Sequence, residues 1–389
     1  MNANPPAKKH ILVVLTNFYP HVGGLERYCE ELFSRLAAEG DMVTVLSLEK
    51  EGERKEMYRG MHIIRLRPLF KVGDVFSLPY PSDWLKFKRQ AKKMSVTHIS
   101  VQTRFFYTSF LGLKLARSLG VPCIHTEHGS DFVQHSSKLV VSVSKCYDLT
   151  LGRYVLKHAT AITAVSKDVA KFVQRLSGRT DTHVIHNSVD SAFWDPSLKD
   201  DTQQTAAVAR LLEGKRGVFF MGRLLRTKGW LELLDAVRAL DAKQQAAIQV
   251  FLAGAGPDEA LLKETIQAYD LSHCVQYMGR LKPEMVRTLL RSCVYVNPSY
   301  SAEGLQTTLL EAAAMKSWII TTPNSGVNEV VTSAAGEIIP KQDVEKLTEA
   351  LERVLSGAPK HGSARTHILD NFSWPVAVKE YQQLIQSLS

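Results

Sequence analysis

The feature that most constrains this chain is a rhythm that runs through it twice. Short, predominantly apolar stretches rich in β-branched residues alternate with longer segments whose apolar residues recur every three or four positions. Apolar runs without polar alternation fit strands buried on both faces of a parallel sheet, and the 3.6-periodic segments between them fit the covering helices. In the first half the runs fall at 11–15, 42–46, 98–101, 121–125, 161–165 and 183–186. A helix is expected over 25–38, stopped by Gly40 in the C′ position. A polar stretch opens at Asp195-Pro196, reaches about residue 216, and reads as a link. The pattern then restarts, with strands expected at 218–221, 248–253, 275–278, 294–296 and 318–321 and helices at 230–240 and 259–269. The fold class is therefore α/β, with one doubly wound sheet per half. Each half of the 389 residues is long enough to bury its own core. Ligands of such sheets bind beyond the carboxyl ends of the strands, so the cleft between the halves is the expected site.

Composition narrows the class further. With 45% hydrophobic and 22% charged residues the chain is an ordinary globular protein, which argues against wholesale disorder and fibrous repeats. The apolar run near the N-terminus is too short for a membrane span or a secretory core. Five scattered cysteines without a C-x-x-C read as reduced thiols of a cytoplasmic protein, not as a disulfide frame or a zinc site. The net charge of +9 is unevenly placed: residues up to Asp190 carry +10 and the remainder −1. Residues 54–93 hold 11 basic side chains against Glu56, Asp74 and Asp83. The densest part contains Trp84, Lys86, Phe87, Lys88 and Arg89. Three readings stand open for it: a solvated helix face, a membrane-surface patch in which Trp84 and Phe87 share a face and dip into headgroups, or a nucleic-acid contact. No nucleic-acid motif accompanies it, so nucleic acid is the least favoured partner.

Standard nucleotide signatures are missing. Gly254-Ala255-Gly256-Pro257-Asp258-Glu259 follows a strand, but Glu259 stands where a G-x-G-x-x-G loop needs its third glycine. There is no Walker A sequence and no D-x-D, so a metal-bridged diphosphate has no evident anchor and no metal cofactor is expected. The His125-Thr126-Glu127-His128 string lacks H-E-x-x-H spacing. Five other segments can converge on an anion. Gly23 and Gly24, in a turn before a helix, permit close approach of a phosphate to free N–H groups. Arg223 and Lys228 bracket a loop leaving a strand, an arginine fork and a lysine point charge suited to a diphosphate. Glu303 and Glu311 stand eight apart; Glu303 fits a loop, and Gly304 to Thr307 would form the first helical turn, its N–H groups open to phosphate. Glu311 would lie two turns into an Ala-rich helix, where an acceptor-only carboxylate needs a polar partner such as vicinal ribose hydroxyls. His128 and Asp131 flank a glycine at a strand's carboxyl end, and His186-Asn187-Ser188-Val189-Asp190 reads as a hinge-side turn.

Taken in order, these segments resemble the retaining glycosyltransferases of family 4, the GT-B architecture of two facing Rossmann-like domains. The matching residues are Gly23-Gly24-Leu25-Glu26, His128-Gly129, Ala164-Val165-Ser166, Ile185 to Asp190, Gly222-Arg223-Leu224 with Thr227-Lys228-Gly229, Gly254 to Pro257, the E-x7-E pair Glu303 and Glu311, and Phe372-Ser373-Trp374. The resemblance implies an acceptor-binding domain over 1–192, a nucleotide-sugar domain over 193–370, and a last helix within 371–389 that crosses back onto the first domain. It implies that Arg223 and Lys228 hold the donor diphosphate and that backbone at Gly24 meets the donor phosphate. It implies that Glu311 binds ribose, that Glu303, Gly304 and Leu305 lie near sugar and phosphates, and that His128 lies beside the transferred sugar. His186-Asn187-Ser188 departs from the usual Pro-Asn-Gly, and Gln306, Thr307 and Thr308 replace smaller or apolar residues. The expectation is a metal-independent hexosyltransferase using a UDP- or GDP-sugar. Its acceptor would be a lipid-linked glycan or a lipopolysaccharide or exopolysaccharide intermediate at the inner face of the cytoplasmic membrane, with Asp131, Trp84, Lys86, Lys88 and Arg89 on the acceptor and membrane side. A soluble transferase acting on small glycosides or polysaccharide is the alternative, and a basic nucleic-acid-binding protein the alternative of a different class.

Overall fold

The computed structural model describes residues 8–21, 23–49, 54–72, 76–133, 137–301, 303–357 and 364–388. Asp74 and Ala302 lie outside them. The chain forms two compact units. Unit 1 is Met1–Asn187, Ala302–Gly304 and Trp374–Ser389; unit 2 is Ser188–Ser301 and Leu305–Ser373. These divisions fall a few residues from 192/193 and 370/371, and the short return of 302–304 to unit 1 has no signature in the sequence.

The strands of unit 1 are β1 (His10–Val14), β2 (Met42–Leu48), β3 (Lys55–Tyr58), β4 (Met61–Leu66), β5 (Pro68–Val72), β6 (Phe76–Pro79), β7 (His98–Gln102), β8 (Cys123–Glu127), β9 (Ala161–Ala164) and β10 (Thr182–Val184). Eight of them form one sheet in the order β10-β9-β8-β7-β1-β2-β4-β3, and β5 and β6 pair as a separate ribbon. Every pairing in the large sheet is parallel except β3 with β4. Alternation along β1 explains the two layers. Ile11 and Val13 face a cluster with Leu32 and Phe33 of the helix Gly24–Ala38, while Leu12 and Val14 face one with Leu46, Ile99 and Leu113. The C-terminal helix Trp374–Ser387 belongs to the first layer, with Tyr381 edge-on to Phe33 at 5.7 Å and Trp374 5.8 Å from Tyr28. The sheet order reverses between β1 and β7, so the loops after β1, β7 and β8 crowd the position where doubly wound sheets take their ligands.

Unit 2 repeats the plan with β11 (Arg216–Met221), β12 (Ile248–Ala253), β13 (Val275–Gly279), β14 (Val294–Asn297), β15 (Ile319–Thr321) and β16 (Gly336–Ile338). Its order is β13-β12-β11-β14-β15-β16, all parallel. The reversal falls between β11 and β14, which puts the loops after those two strands side by side.

Three features differ from the expectations or go beyond them. The polar link contains a helix, Thr202–Leu212, whose first N–H groups are capped by Asp201 Oδ1, 2.7 Å from the Gln203 nitrogen. Its buried side is little more than Val208, so periodicity gave no signal, while Ala and Gln supplied the propensity. The β3–β4 hairpin turns on Arg59 (φ 48°) and Gly60 (φ 79°), a pair of left-handed residues that the usual Asn-Gly signal does not cover. The third concerns the basic segment. In the helix Pro81–Ala91, Phe87 is buried among Leu12, Leu46 and Ile64, and Trp84 packs against the same cluster. The aromatic pair therefore faces the core and is not available to headgroups. Lys86 and Arg89 are exposed and Lys88 is half-buried.

Candidate active site

In unit 1 the loop after β8 carries His128, Gly129, Ser130 and Asp131, and it is fixed from below by one carboxylate. Glu127, the last residue of β8, is fully buried. Its Oε1 accepts from Arg104 Nη1 (2.9 Å), Thr103 Oγ1 (3.2 Å), the His128 backbone (3.2 Å) and the Gly129 backbone (2.9 Å). Its Oε2 accepts from the Arg104 backbone (3.0 Å) and lies 3.1 Å from His125 Nε2. Burial pushes this carboxyl's pKa upward, but the Arg104 charge and these donors outweigh it and hold the pKa well below the usual carboxylate range. Arg104 is equally buried, and its Nη2 donates to the Asp131 carbonyl (2.8 Å) and to Asp148 (3.0 Å). Both ends of the His128–Asp131 loop thus hang on one buried ion network.

The imidazole of His128 is positioned separately. Its Nε2 lies 3.0 Å from Gln102 Oε1, and the edge of Tyr28 meets the ring at a centroid distance of 4.9 Å. Gln102 donates through Nε2 to Ser100 Oγ (2.9 Å), which also accepts from Tyr381 OH (3.0 Å). That chain orients the Gln102 oxygen toward the histidine, so His128 carries its proton on Nε2 and keeps a lone pair on Nδ1. Burial lowers its pKa to about 4, with only partial opposition from Glu127, so the ring is neutral at physiological pH. His125 and His128 are engaged with Glu127 and Gln102 respectively, which separates the two rings that the sequence places three apart.

Two further expected residues join this loop. Ser130 Oγ donates to the Glu303 carbonyl at 2.6 Å, and a Cβ at Gly304 would stand 2.2 Å from the His128 carbonyl oxygen. Gly304 is thus needed for close backbone approach. Asp131 is exposed. Gly23 is the N-cap of the helix Gly24–Ala38, and a Cβ there would strike Glu26, whereas a Cβ at Gly24 would meet nothing within 4 Å.

In unit 2 the loops at the sheet reversal are laced together. The carbonyl of Thr227 accepts from the backbones of Tyr300 (2.9 Å) and Ser301 (3.2 Å) and from Ser299 Oγ (3.2 Å). Gly229 (φ 79°) permits the crossing, since a Cβ would lie 2.3 Å from the Pro298 oxygen. On the other side, Cβ atoms at Gly254 and Gly256 would lie 1.8 Å from the Gly222 oxygen and 2.3 Å from the Leu224 oxygen. Those two glycines therefore serve loop packing within unit 2. Arg223 is exposed and Lys228 half-buried on this framework. The helix Thr307–Ala314 begins three residues later than Gly304, with Gln306 as N-cap, so Glu311 lies just over one turn in, not two. Glu311 is buried beside Ala312, Ala313 and Ala314, and the Leu305 side chain belongs to the core.

No spacing or motif in the sequence marks Glu127, Arg104, Gln102, Asp148 and Tyr28 as site residues. One signal was available for Glu127: a carboxylate ending an otherwise apolar buried strand demands a partner. Among the described residues no group of three or more His, Cys, Asp or Glu is gathered as a metal cluster would be, and no helix is long and apolar enough to cross a membrane.

Comparison with known proteins defines the class. The family model described as Glycosyltransferase Family 4 matches residues 22–193, and that described as Glycosyl transferases group 1 matches residues 201–366. The chain belongs to this family, and its two units are the Rossmann-like domains of a GT-B glycosyltransferase. Among curated relatives, an uncharacterized glycosyltransferase, MJ1069, of Methanocaldococcus jannaschii is 25% identical, over 98% of this chain and 99% of that one. A GDP-mannose-dependent monoacylated alpha-(1-6)-phosphatidylinositol monomannoside mannosyltransferase of Corynebacterium glutamicum is 27% identical over 52% of this chain and 55% of its own length. Sucrose-phosphate synthase from Thermosynechococcus elongatus shares the fold with TM-score 0.81 at 22% identity, covering 98% and 99% of the two chains. Anabaena HepE in complex with UDP does so with TM-score 0.77 at 15% identity, covering 98% and 100%.

Proposed function

We propose that this glycosyltransferase moves a hexosyl unit from a UDP- or GDP-sugar, with retention of configuration and without a metal ion, to a hydroxyl of a lipid-linked glycan or a lipopolysaccharide or exopolysaccharide intermediate at the cytoplasmic membrane face. The observation that carries the donor half is the junction of two loops at the sheet reversal of unit 2. Arg223 and Lys228 rise from one loop, and the other leads into a helix with the buried Glu311 in its second turn. In this reading Arg223 and Lys228 meet the diphosphate and stabilise the charge that develops as it leaves. Glu311, in the second turn of the helix, accepts from the ribose hydroxyls. Glu303 and the backbones of Gly304 and Leu305 serve the sugar and its phosphates. Gly24, at the start of the helix Gly24–Ala38, has open space beside its Cα, which leaves room for a phosphate to approach the backbone there. His128, neutral and with Nδ1 unprotonated, accepts from a hydroxyl of the transferred sugar. The departing phosphate takes the acceptor's proton, so no second carboxylate is required, unlike in glycosidases.

The donor reading is tested by thermal denaturation against UDP-, GDP-, ADP- and dTDP-sugars, with and without EDTA. A rise in melting temperature for one nucleotide class, unchanged by the chelator, is expected. Lys228→Ala and Glu311→Ala should each lower kcat/KM by about 10²-fold or more while the protein stays folded. Full activity in either variant, or stabilisation only with a divalent cation, rejects the reading.

A further inference from the structure

The helix Lys138–Tyr147, which follows the His128 loop, buries none of its residues. Leu139 is 73% exposed and Val143 60%, and Val140 and Leu149 are 40% and 46% exposed. Leu139, Val143 and Cys146 are spaced i, i+4 and i+7, one stripe on a helix, and Cys146 is exposed too. Lys138 and Lys145, seven apart, form a parallel row roughly a third of a turn round. Both are exposed, and the Lys145 ammonium sits 5.4 Å over the Phe132 ring. Residues 137–158 contain one acidic side chain, Asp148, which is buried and bound to Arg104, so every exposed charge there is basic: Lys138, Lys145, Arg153, Lys157 and, when protonated, His158.

We infer that this helix docks on an anionic lipid bilayer, with Leu139 and Val143 entering the acyl boundary and Lys138 and Lys145, roughly a third of a turn round, meeting the headgroup phosphates. The inference rests on the lipid-linked acceptor proposed above and places the contact on a different helix from the basic segment Pro81–Ala91, whose aromatic residues face the core. Charge decides the occupant: an apolar stripe edged by lysines and free of outward carboxylates suits an anionic membrane surface. The fold supplies a purpose. Asp148, in the turn that continues the helix, holds the Arg104 whose other contacts fix Glu127 and the Asp131 carbonyl. A docked helix would therefore keep the His128 loop at a set position near the lipid surface.

The test is co-sedimentation of the full chain with vesicles of phosphatidylcholine alone or with phosphatidylglycerol. An environment-sensitive fluorophore on Cys146, the one exposed cysteine among the five, gives a second readout. Wild type should bind the mixed vesicles, with a blue-shifted probe, and not the neutral ones. Leu139→Glu with Val143→Glu should weaken binding by roughly a hundredfold, and Lys138→Glu with Lys145→Glu by about thirtyfold or more. Circular dichroism and nucleotide affinity should stay unchanged in all variants. Equal binding to both vesicle types, no binding, or undiminished binding by the Leu139/Val143 variant overturns the inference. So does a change from dimer to monomer in that variant without loss of vesicle binding, which would assign the stripe to a second copy. Vesicle binding is read without turnover, so a protein that docks but transfers nothing to a lipid acceptor rejects the acceptor reading alone.

Discussion

Replacing Glu127 by glutamine isolates the network that holds the His128 loop. The substitution keeps the shape but removes the charge and one of two acceptor oxygens. Those oxygens serve Thr103, His128, Gly129, His125 and two nitrogens of Arg104. An amide nitrogen in either place confronts donors with a donor, and Arg104 is left with Asp148 as its sole ionic partner in this network. Breaking a buried pair from one side costs about 3–5 kcal/mol, and the surviving oxygen puts glutamine near the lower figure. At roughly 2–4 °C per kcal/mol for a domain of this size, the unit 1 transition should fall by roughly 6–12 °C. The pH dependence gives an independent check. The folded carboxyl is held below its unfolded value of about 4.3, so its stabilisation is complete above that value and is lost as pH falls below it. Wild type and variant should thus converge in acid. Differential scanning calorimetry from pH 7 down to the acid limit measures both effects, and kcat should fall with KM for the donor little changed. A melting shift below about 2 °C, or curves that stay parallel into acid, would refute the view that this carboxylate organises the loop.

Three other outcomes are expected. Because the folded His128 pKa is lowered to about 4 against 6.5 unfolded, stability should decline as pH falls between those values, by up to roughly 3 kcal/mol, and His128→Asn should flatten that part of the profile in urea titrations. Gly24→Ala should leave unfolding free energy within about 0.5 kcal/mol of wild type yet weaken nucleotide-sugar binding by about tenfold or more; calorimetric titration showing unchanged affinity would remove Gly24 from the donor site. Asp201→Ala should cost about 1 kcal/mol through loss of the helix cap, read as a shift in urea midpoint without a change in KM.

What was legible in the sequence was whatever repeats locally. Ile11 to Val14 or Val250 to Ala253 announce buried strands because every position is apolar, and the loops that follow β11 and β14 inherit their place from the topology. The Glu127 network was not legible, since Gln102, Arg104, Glu127 and Asp148 meet only after folding and no spacing links them. Amphipathic helices were ambiguous in a particular way. Trp84 and Phe87 share a face whether that face meets a membrane or a core, and the structure shows the core. Leu139 and Val143 have the same helical spacing as core residues, and only their exposure sets them apart.

The crossing of the two loops in unit 2 has a consequence for engineering. Three donors from residues 299–301 converge on one carbonyl, that of Thr227, and Gly229 passes too close to Pro298 to tolerate any side chain. A swap of the Gly222–Gly229 segment alone from a homologue would set the 227 carbonyl in a loop not matched to the recipient's 298–301 donors, and any side chain at 229 would strike Pro298. Chimaeras aimed at a new sugar nucleotide should therefore exchange both segments together as one cassette.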